Sequence, residues 1–312
     1  VSEERIQKVL AEAGIASRRA VESMIEEGRI QVNGEAATLG QKIKPGDRIT
    51  VDGRSVRHSD APSPSRVLLY KKRTGELVTR DDPEGRRTVF RKLPVLDSGR
   101  WIAVGRLDIN TSGLLLLTND GELARRLTHP SYEISREYAV RVLGEMTKEI
   151  LEGLRKGVKL DDGMAHFDSI DRGENEDGEG ANQWWRVKLK EGRNREVRRL
   201  FESQGLQVSR LIRVAYGPVK LGRGVQSGGW RELDADELRE LRRAVGFDAK
   251  AKPASKTRRP KGEAEEAPRP VRRPTKRDLD RQEKAVANAR KIKPDRDAKP
   301  SGWAGYKPRK PM

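Results

Sequence analysis

The sequence predicts an α+β protein: a small N-terminal module, a larger domain on a mixed or antiparallel sheet, and a basic tail. Three observations carry that reading. Two stretches of helical periodicity followed by short strands fill residues 1–57. Residues 66–246 alternate strand-like and helix-like segments, with many short strands and few of the spacings a doubly wound parallel sheet requires. Residues 247–312 lose apolar periodicity and gain proline and positive charge.

In the module, Ile6, Val9, Leu10 and Ala13 recur at helical spacing until Gly14 stops the helix. Ser17 is a good N-cap for a second helix carrying Val21, Met24 and Ile25, which ends at Gly28. Arg29–Val32 alternates like a strand and turns at Asn33-Gly34, and Pro45-Gly46-Asp47 makes a further turn before Arg48–Val51. Residues 58–65, polar and broken by proline, form a linker. Beyond it, Val67–Tyr70, Trp101–Val104, Leu114–Thr118, Tyr138–Val142, Trp185–Leu189 and Leu211–Val214 read as strands. Glu122–Leu127, Thr147–Lys156, Asn194–Gln204 and Asp236–Val245 read as helices, and Asp171–Gly180 as an exposed loop.

Composition narrows the function. The 312 residues carry a formal charge of +18 and no cysteine, which excludes disulfides and thiolate metal sites. His58, His129 and His166 are too scattered to suggest a metal cluster. No apolar run reaches the length of a signal peptide or a membrane span, so the expectation is a soluble cytoplasmic protein. Residues 251–312 hold 20 Lys+Arg against 8 Asp+Glu and 9 of the 16 prolines, so most of the excess charge lies in the tail. Such a segment cannot bury enough surface to offset its ordering entropy, and is expected to be a disordered arm for a polyanion or a solvated extension. Trp303 and Tyr306 near its end could stack on bases. Residues 1–60, by contrast, are charge-neutral, with Arg18-Arg19 gathered at the start of the second helix; ordinary surface helices carry such pairs too.

One stretch stands out as chemistry: GRLDINTSGLLLLTNDG, residues 105–121, a polar glycine-bounded loop between two apolar runs. Buried flanking strands hold such a loop rigidly, a good mount for a catalytic side chain, and Asp108 is its acid. Asp120, in Asn119-Asp120-Gly121, reads as the turn residue that starts the next helix. A second constellation is EGRNREVRRLF, residues 191–201. As a helix it puts Val197, Leu200 and Phe201 on one face and Arg195, Arg198 and Arg199 largely opposite. That pattern suits a solvated basic face or a row of phosphate contacts, with Arg198 able to turn inward towards an acid. A third is REYAVRV, residues 136–142, where Tyr138 shares a strand face with Val140 and Val142. No Ser-His-Asp grouping, Walker loop, GxGxxG or metal spacing is present, which points towards chemistry without metal or cofactor.

GRLDINTSGLLLLTNDGEL resembles the signature of the RsuA/RluB family of ribosomal RNA pseudouridine synthases. Residues 1–57 resemble the S-four RNA-binding module, REYAV the family's tyrosine motif and EGRNREVRRLFE its basic motif. The resemblance spans about residues 3–246, is greatest to the RluB branch, and implies a 23S ribosomal RNA substrate. It implies that Asp108 is the nucleophile or general base of an isomerisation in which uracil leaves its ribose, turns, and rejoins through carbon five without metal or cofactor. A carboxylate can capture an electron-poor sugar carbon or take a proton from it. The same resemblance makes Arg198 the basic partner of Asp108, Tyr138 the residue packing against the flipped uracil, and Arg106 the side chain filling the gap left in the RNA. Arg18, Arg19, Arg193, Arg195 and Arg199 are the further RNA-binding candidates, and a monomer acting on free rRNA or a precursor subunit is expected. The rival reading is a noncatalytic rRNA-binding assembly factor; a weaker one is a glycosidase that releases uracil.

Overall fold

The computed structural model describes residues 3–56, 64–173 and 182–247. The tail and most of the expected linker, with His58, Trp303 and Tyr306, lie outside the described residues. Strand β1 (Glu4–Arg5) leads into helices α1 (Ile6–Glu12) and α2 (Arg18–Glu26). Ser17 caps α2 by accepting from Ala20 N at 3.0 Å, and Gly28 ends it at φ +69°. Strands β2 (Ile30–Val32), β3 (Glu35–Ala36), β4 (Lys42–Ile43), β5 (Ile49–Val51) and β6 (Arg54–Val56) follow. The β2–β3 hairpin turns on Asn33 and Gly34, both at positive φ, the pairing that tight hairpin turns demand. Ile6, Leu10, Val21, Ile25, Ile30 and Ile49 close a core belonging to this module alone.

The rest is one nine-stranded mixed sheet, as the strand count suggests. Its members are β7 (Val67–Lys72), β8 (Ile102–Ala103), β9 (Ser112–Thr118), β10 (Arg136–Leu143), β13 (Ser169–Arg172), β14 (Asn182–Leu189), β15 (Gln207–Tyr216), β16 (Val219–Lys220) and β17 (Trp230–Glu232). The order is β13-β14-β10-β15-β9-β7-β17, with β8 on β9 and β16 on β15; among the described strands of this sheet, only the β9–β15 pair is parallel. Helices α3 (Gly121–Thr128), α4 (Lys148–Lys156), α5 (Glu196–Glu202) and α6 (Ala235–Ala244) and a small hairpin, β11 (Val158–Leu160) with β12 (Gly163–Ala165), complete it.

Strand β9 is the axis. Leu115 and Leu117 face one core, with Tyr70, Val140 and Phe201, while Leu114 and Leu116 face another, with Leu123, Tyr216 and Leu241. A strand covered on both faces reads as a continuous apolar run, which is why Leu114–Leu117 shows no alternation.

Several expected boundaries move. Trp101–Val104 shrinks to Ile102–Ala103, because the backbone turns away at Gly105 (φ +71°) once Val104 N has bonded Leu116 O. The helix expected from Asn194 starts at Glu196, since Arg195 sits in the left-handed region at φ +49°. Asp171 and Arg172, expected in a loop, continue β13 against Arg186 and Trp185 of β14. β17 and the β11–β12 hairpin are too short to show a period and exist through pairing.

Candidate active site

The loop between β8 and β9 carries Asp108 at the first position of a tight turn, closed by Thr111 N donating to Asp108 O at 3.0 Å. The turn is stapled from below. Lys72, the last residue of β7 and only 1% exposed, aims its ammonium at the carbonyls of Arg73 (3.0 Å), Asp108 (2.9 Å) and Thr111 (2.8 Å). Burial pushes the Lys72 pKa down to about 8, opposed by the charges of Glu76 and Asp108. Glu76 is itself fixed by Tyr70 Oη (3.0 Å) and Arg73 N (2.9 Å).

Gly113 completes the mount. At φ +102° it lies so close to Arg213 that no Cβ fits, and this lets β9 run directly against β15 at Ser112–Ile212 and Gly113–Arg213. Arg213 in turn stands opposite Tyr138 on β10. The three strands therefore place Tyr138, Arg213 and the Asp108 turn around one cleft of about 800 Å³, whose walls also include Arg106, Arg136 and Tyr216.

Asp108 is partly exposed and Arg106 exposed, both on this cleft. Tyr138, 9% exposed, belongs at once to the main core and to the cleft wall. Arg198 turns inward, as its place at the edge of the apolar stripe allows, and is 7% exposed. Its guanidinium does not clasp the Asp108 carboxylate. Nη1 donates to Val208 O and Nη2 to Asn110 O, each at 3.0 Å, so it braces the Asp108 turn through the backbone. Burial and Arg195 press its pKa down, and the Asp108 charge pulls it up.

The basic motif does not form a single free row. Arg193 pairs with Glu191 at 2.5 Å and reaches Met164 O at 2.8 Å, and Arg199 pairs with Asp162 at 2.7 Å. Arg199 thus ties α5, and Arg193 the loop before it, to the β11–β12 hairpin, and only Arg193 and Arg195 of the motif's arginines line the cleft. Arg18 and Arg19 are exposed in the first turn of α2 and do not line it. Asp120 caps α3, accepting from Glu122 N (3.0 Å) and Leu123 N (2.9 Å). His129 bonds Ser131 Oγ through Nδ1 at 2.7 Å, and His166 lines the cleft beside Asp168. Among the described residues no group of three His, Cys, Asp or Glu is placed to hold a metal, and no helix is long and apolar enough to cross a membrane.

Lys72, Arg136, Glu196, Arg213 and Tyr216 are the site residues that motif reading passes over. Arg136, 8% exposed, holds the carbonyls of Ile134, Lys190 and Glu191. Glu196 accepts from Arg193 N at 3.0 Å and is pushed up in pKa by burial. A lone arginine inside the apolar run Leu211–Val214 was a legible signal; Lys72, at the end of an apolar strand, looks like an ordinary solvated terminus.

Residues 4–49 match the S4 domain family, and residues 66–203 match the family described as RNA pseudouridylate synthase. A protein of Salmonella typhimurium named ribosomal large subunit pseudouridine synthase B is 56% identical over 246 residues, 78% of this chain and 83% of its own. The chain belongs to the RNA pseudouridylate synthase family. Proteins of the same name from Haemophilus influenzae and Pseudomonas aeruginosa are also 56% identical; the aligned regions cover 79% and 82% of this chain and 69% and 66% of theirs. A crystal structure of a pseudouridylate synthase shares the fold, with a TM-score of 0.53 at 24% identity over 76% of this chain and 99% of that one. An N-terminal S4 domain followed by a mixed-sheet pseudouridine synthase domain is thus the architecture of this family member.

Proposed function

We propose that this protein isomerises uridine to pseudouridine in large-subunit 23S ribosomal RNA, with Asp108 as the reacting carboxylate. The observation that carries the reading is the Asp108 turn: a partly exposed carboxylate, held by Lys72 and Arg198 through its backbone, facing Tyr138 across a cleft large enough for a nucleotide. The large-subunit substrate follows from the names of relatives that share over half of their aligned residues with this chain.

The target nucleotide leaves its stack and enters the cleft, and the exposed Arg106 beside it takes up the vacated space. Tyr138 packs on the uracil. Asp108 then attacks the anomeric carbon or removes the neighbouring sugar proton, and either route detaches the base. Arg18, Arg19, Arg195 and the basic tail supply phosphate contacts. The protein acts as a cytoplasmic monomer.

A noncatalytic assembly factor has no use for a braced carboxylate facing RNA phosphates, which it repels. The test is Asp108→Asn: the amide is nearly isosteric but cannot serve as nucleophile or base. Pseudouridine mapping of 23S rRNA from cells carrying wild type, Asp108→Asn or no enzyme should show one site lost in the last two. Substantial turnover by purified Asp108→Asn would overturn the assignment, and free uracil as the wild-type product would favour a glycosidase.

A further inference from the structure

Arg213 is a buried cation with unused hydrogen-bonding capacity. It is 2% exposed, abreast of Tyr138 on one side and Gly113 on the other. Nε donates to Leu114 O at 2.7 Å, where the short β9–β15 ladder has ended. Nη2 is buried without an acceptor, and among the described residues no carboxylate pairs with this side chain. Its plane is fixed. The guanidinium lies 5.0 Å from the centre of the Tyr216 ring, Arg136 covers the same ring at 5.2 Å, and Tyr216 Oη donates to Leu127 O at 2.6 Å.

An unpaired buried guanidinium is costly, and one on a cleft wall is poised for an anion that arrives there. Asp108 is not that anion in any exclusive sense, since its charge already acts on Lys72 and Arg198. RNA phosphates are poorly matched to a guanidinium only 2% exposed. They find the exposed Arg106 and Arg195 first. The group that packs on Tyr138 is the base.

We propose that Arg213 holds the detached uracil, stabilising its negative charge and keeping it in the cleft until it is rejoined. This rests on the isomerase reading. When the N1–C1′ bond breaks, its electron pair goes to N1, and the uracilate spreads the charge onto O2, O4 and C5. Guanidinium donors on a carbonyl oxygen bind this anion more strongly than neutral uridine, so the interaction favours the bond-broken state. After the ring turns, the pair at C5 forms the C5–C1′ bond, and Asp108 becomes a carboxylate again, either by leaving as its ester bond to C1′ breaks or by handing the proton it took back to the neighbouring sugar carbon. The C5 proton is then lost and N1 is protonated, so substrate and product are isomers and no co-reactant is consumed. Arg213 is a catalytic residue under this scheme because it touches the reacting base.

The test uses full-length protein and a 23S rRNA transcript labelled in the uracil ring, in single turnovers at saturating enzyme. Wild type, Arg213→Lys and Arg213→Gln are compared for pseudouridine formed, free uracil released, RNA affinity and thermal melting. Loss of a donor to a developing anion typically lowers the rate by about 10²-fold. Arg213→Gln should show that loss with affinity within about threefold of wild type, together with free uracil that wild type does not release. Arg213→Lys, which keeps the charge, should recover part of the rate and suppress the release. A Gln variant within threefold of the wild-type rate would overturn the proposal. So would a defect confined to affinity, which would make Arg213 a phosphate ligand, or a folded Lys variant no better than Gln. If the Gln variant does not melt cooperatively, the Lys variant decides: isomerisation slowed with RNA affinity within about threefold of wild type supports the role, and an unchanged rate or a defect confined to affinity overturns it. A wild-type enzyme that forms no pseudouridine on this transcript sinks the isomerase reading itself, a result distinct from all of these.

Discussion

Gly113→Ala tests whether the active site is assembled by the close approach of β9 to β15. A Cβ at this position falls well inside contact distance of Arg213 O and 2.7 Å from Arg213 N, where ordinary contact begins near 3.4 Å. Backbone cannot yield as a flexible side chain does, so the strands must part by at least about 0.7 Å. Alanine at φ +102° adds about 1–3 kcal/mol of strain. Parting the strands also weakens the only two β9–β15 pairs and the Arg213–Leu114 hydrogen bond, at about 1 kcal/mol for each bond broken. The sum is about 4 kcal/mol, which for a domain of this size lowers the melting temperature by about 10 °C. The same displacement moves the Asp108 turn relative to Tyr138. Misplacement of about an ångström typically costs about 10²-fold in rate. Calorimetry and single-turnover pseudouridine formation on the labelled transcript measure both effects. A Gly113→Ala protein that melts within 2 °C of wild type and reacts within about threefold of its rate would refute the reasoning.

Other perturbations separate other parts of the site. Tyr138→Phe should keep much of the activity and Tyr138→Ala little if the ring works by packing, whereas both fail if the hydroxyl moves a proton; near-normal activity of the Ala variant would return Tyr138 to the core alone. Raising the pH through about 8 deprotonates Lys72, leaving two N–H donors for the three nearest carbonyls, so the single-turnover rate should fall on that limb. Stability responds in the opposite sense. Lys72 releases its proton near pH 8 when folded and near 10.5 when unfolded, so the unfolded chain binds more protons between those values and this group's contribution rises with pH, by at most about 3 kcal/mol. A pH-independent rate between 7 and 9.5 would remove Lys72 from the account. Deleting residues 251–312, which carry +12 of the +18 charge, should flatten the dependence of log affinity on log salt by about 0.7 to 0.9 for each phosphate the protein no longer neutralises. The saturating single-turnover rate should hold, and an unchanged salt slope would make the tail a passive extension.

What the linear sequence determined here is whatever depends on near neighbours. The caps at Ser17 and Asp120, the Asn33-Gly34 hairpin, the doubly buried Leu114–Leu117 strand and the polar loop bearing Asp108 are set by residues a few positions apart. A long motif could therefore mark both the strand and the acid. What only the tertiary structure decided are relations across the sheet. Lys72 lies 36 positions before Asp108, and Arg213 stands opposite Gly113, 100 positions earlier in the chain. Arg198 shows the same divide. Its helical spacing put it at the edge of an apolar face, but the carbonyls of Asn110 and Val208 determine which way its charge points. Arg193 and Arg199, alike in sequence, are drawn instead to Asp162 on a hairpin too short to leave a period. The reason is physical: a charged side chain is long, and it settles where buried acceptors offset its desolvation, and strand pairing alone determines where those acceptors lie.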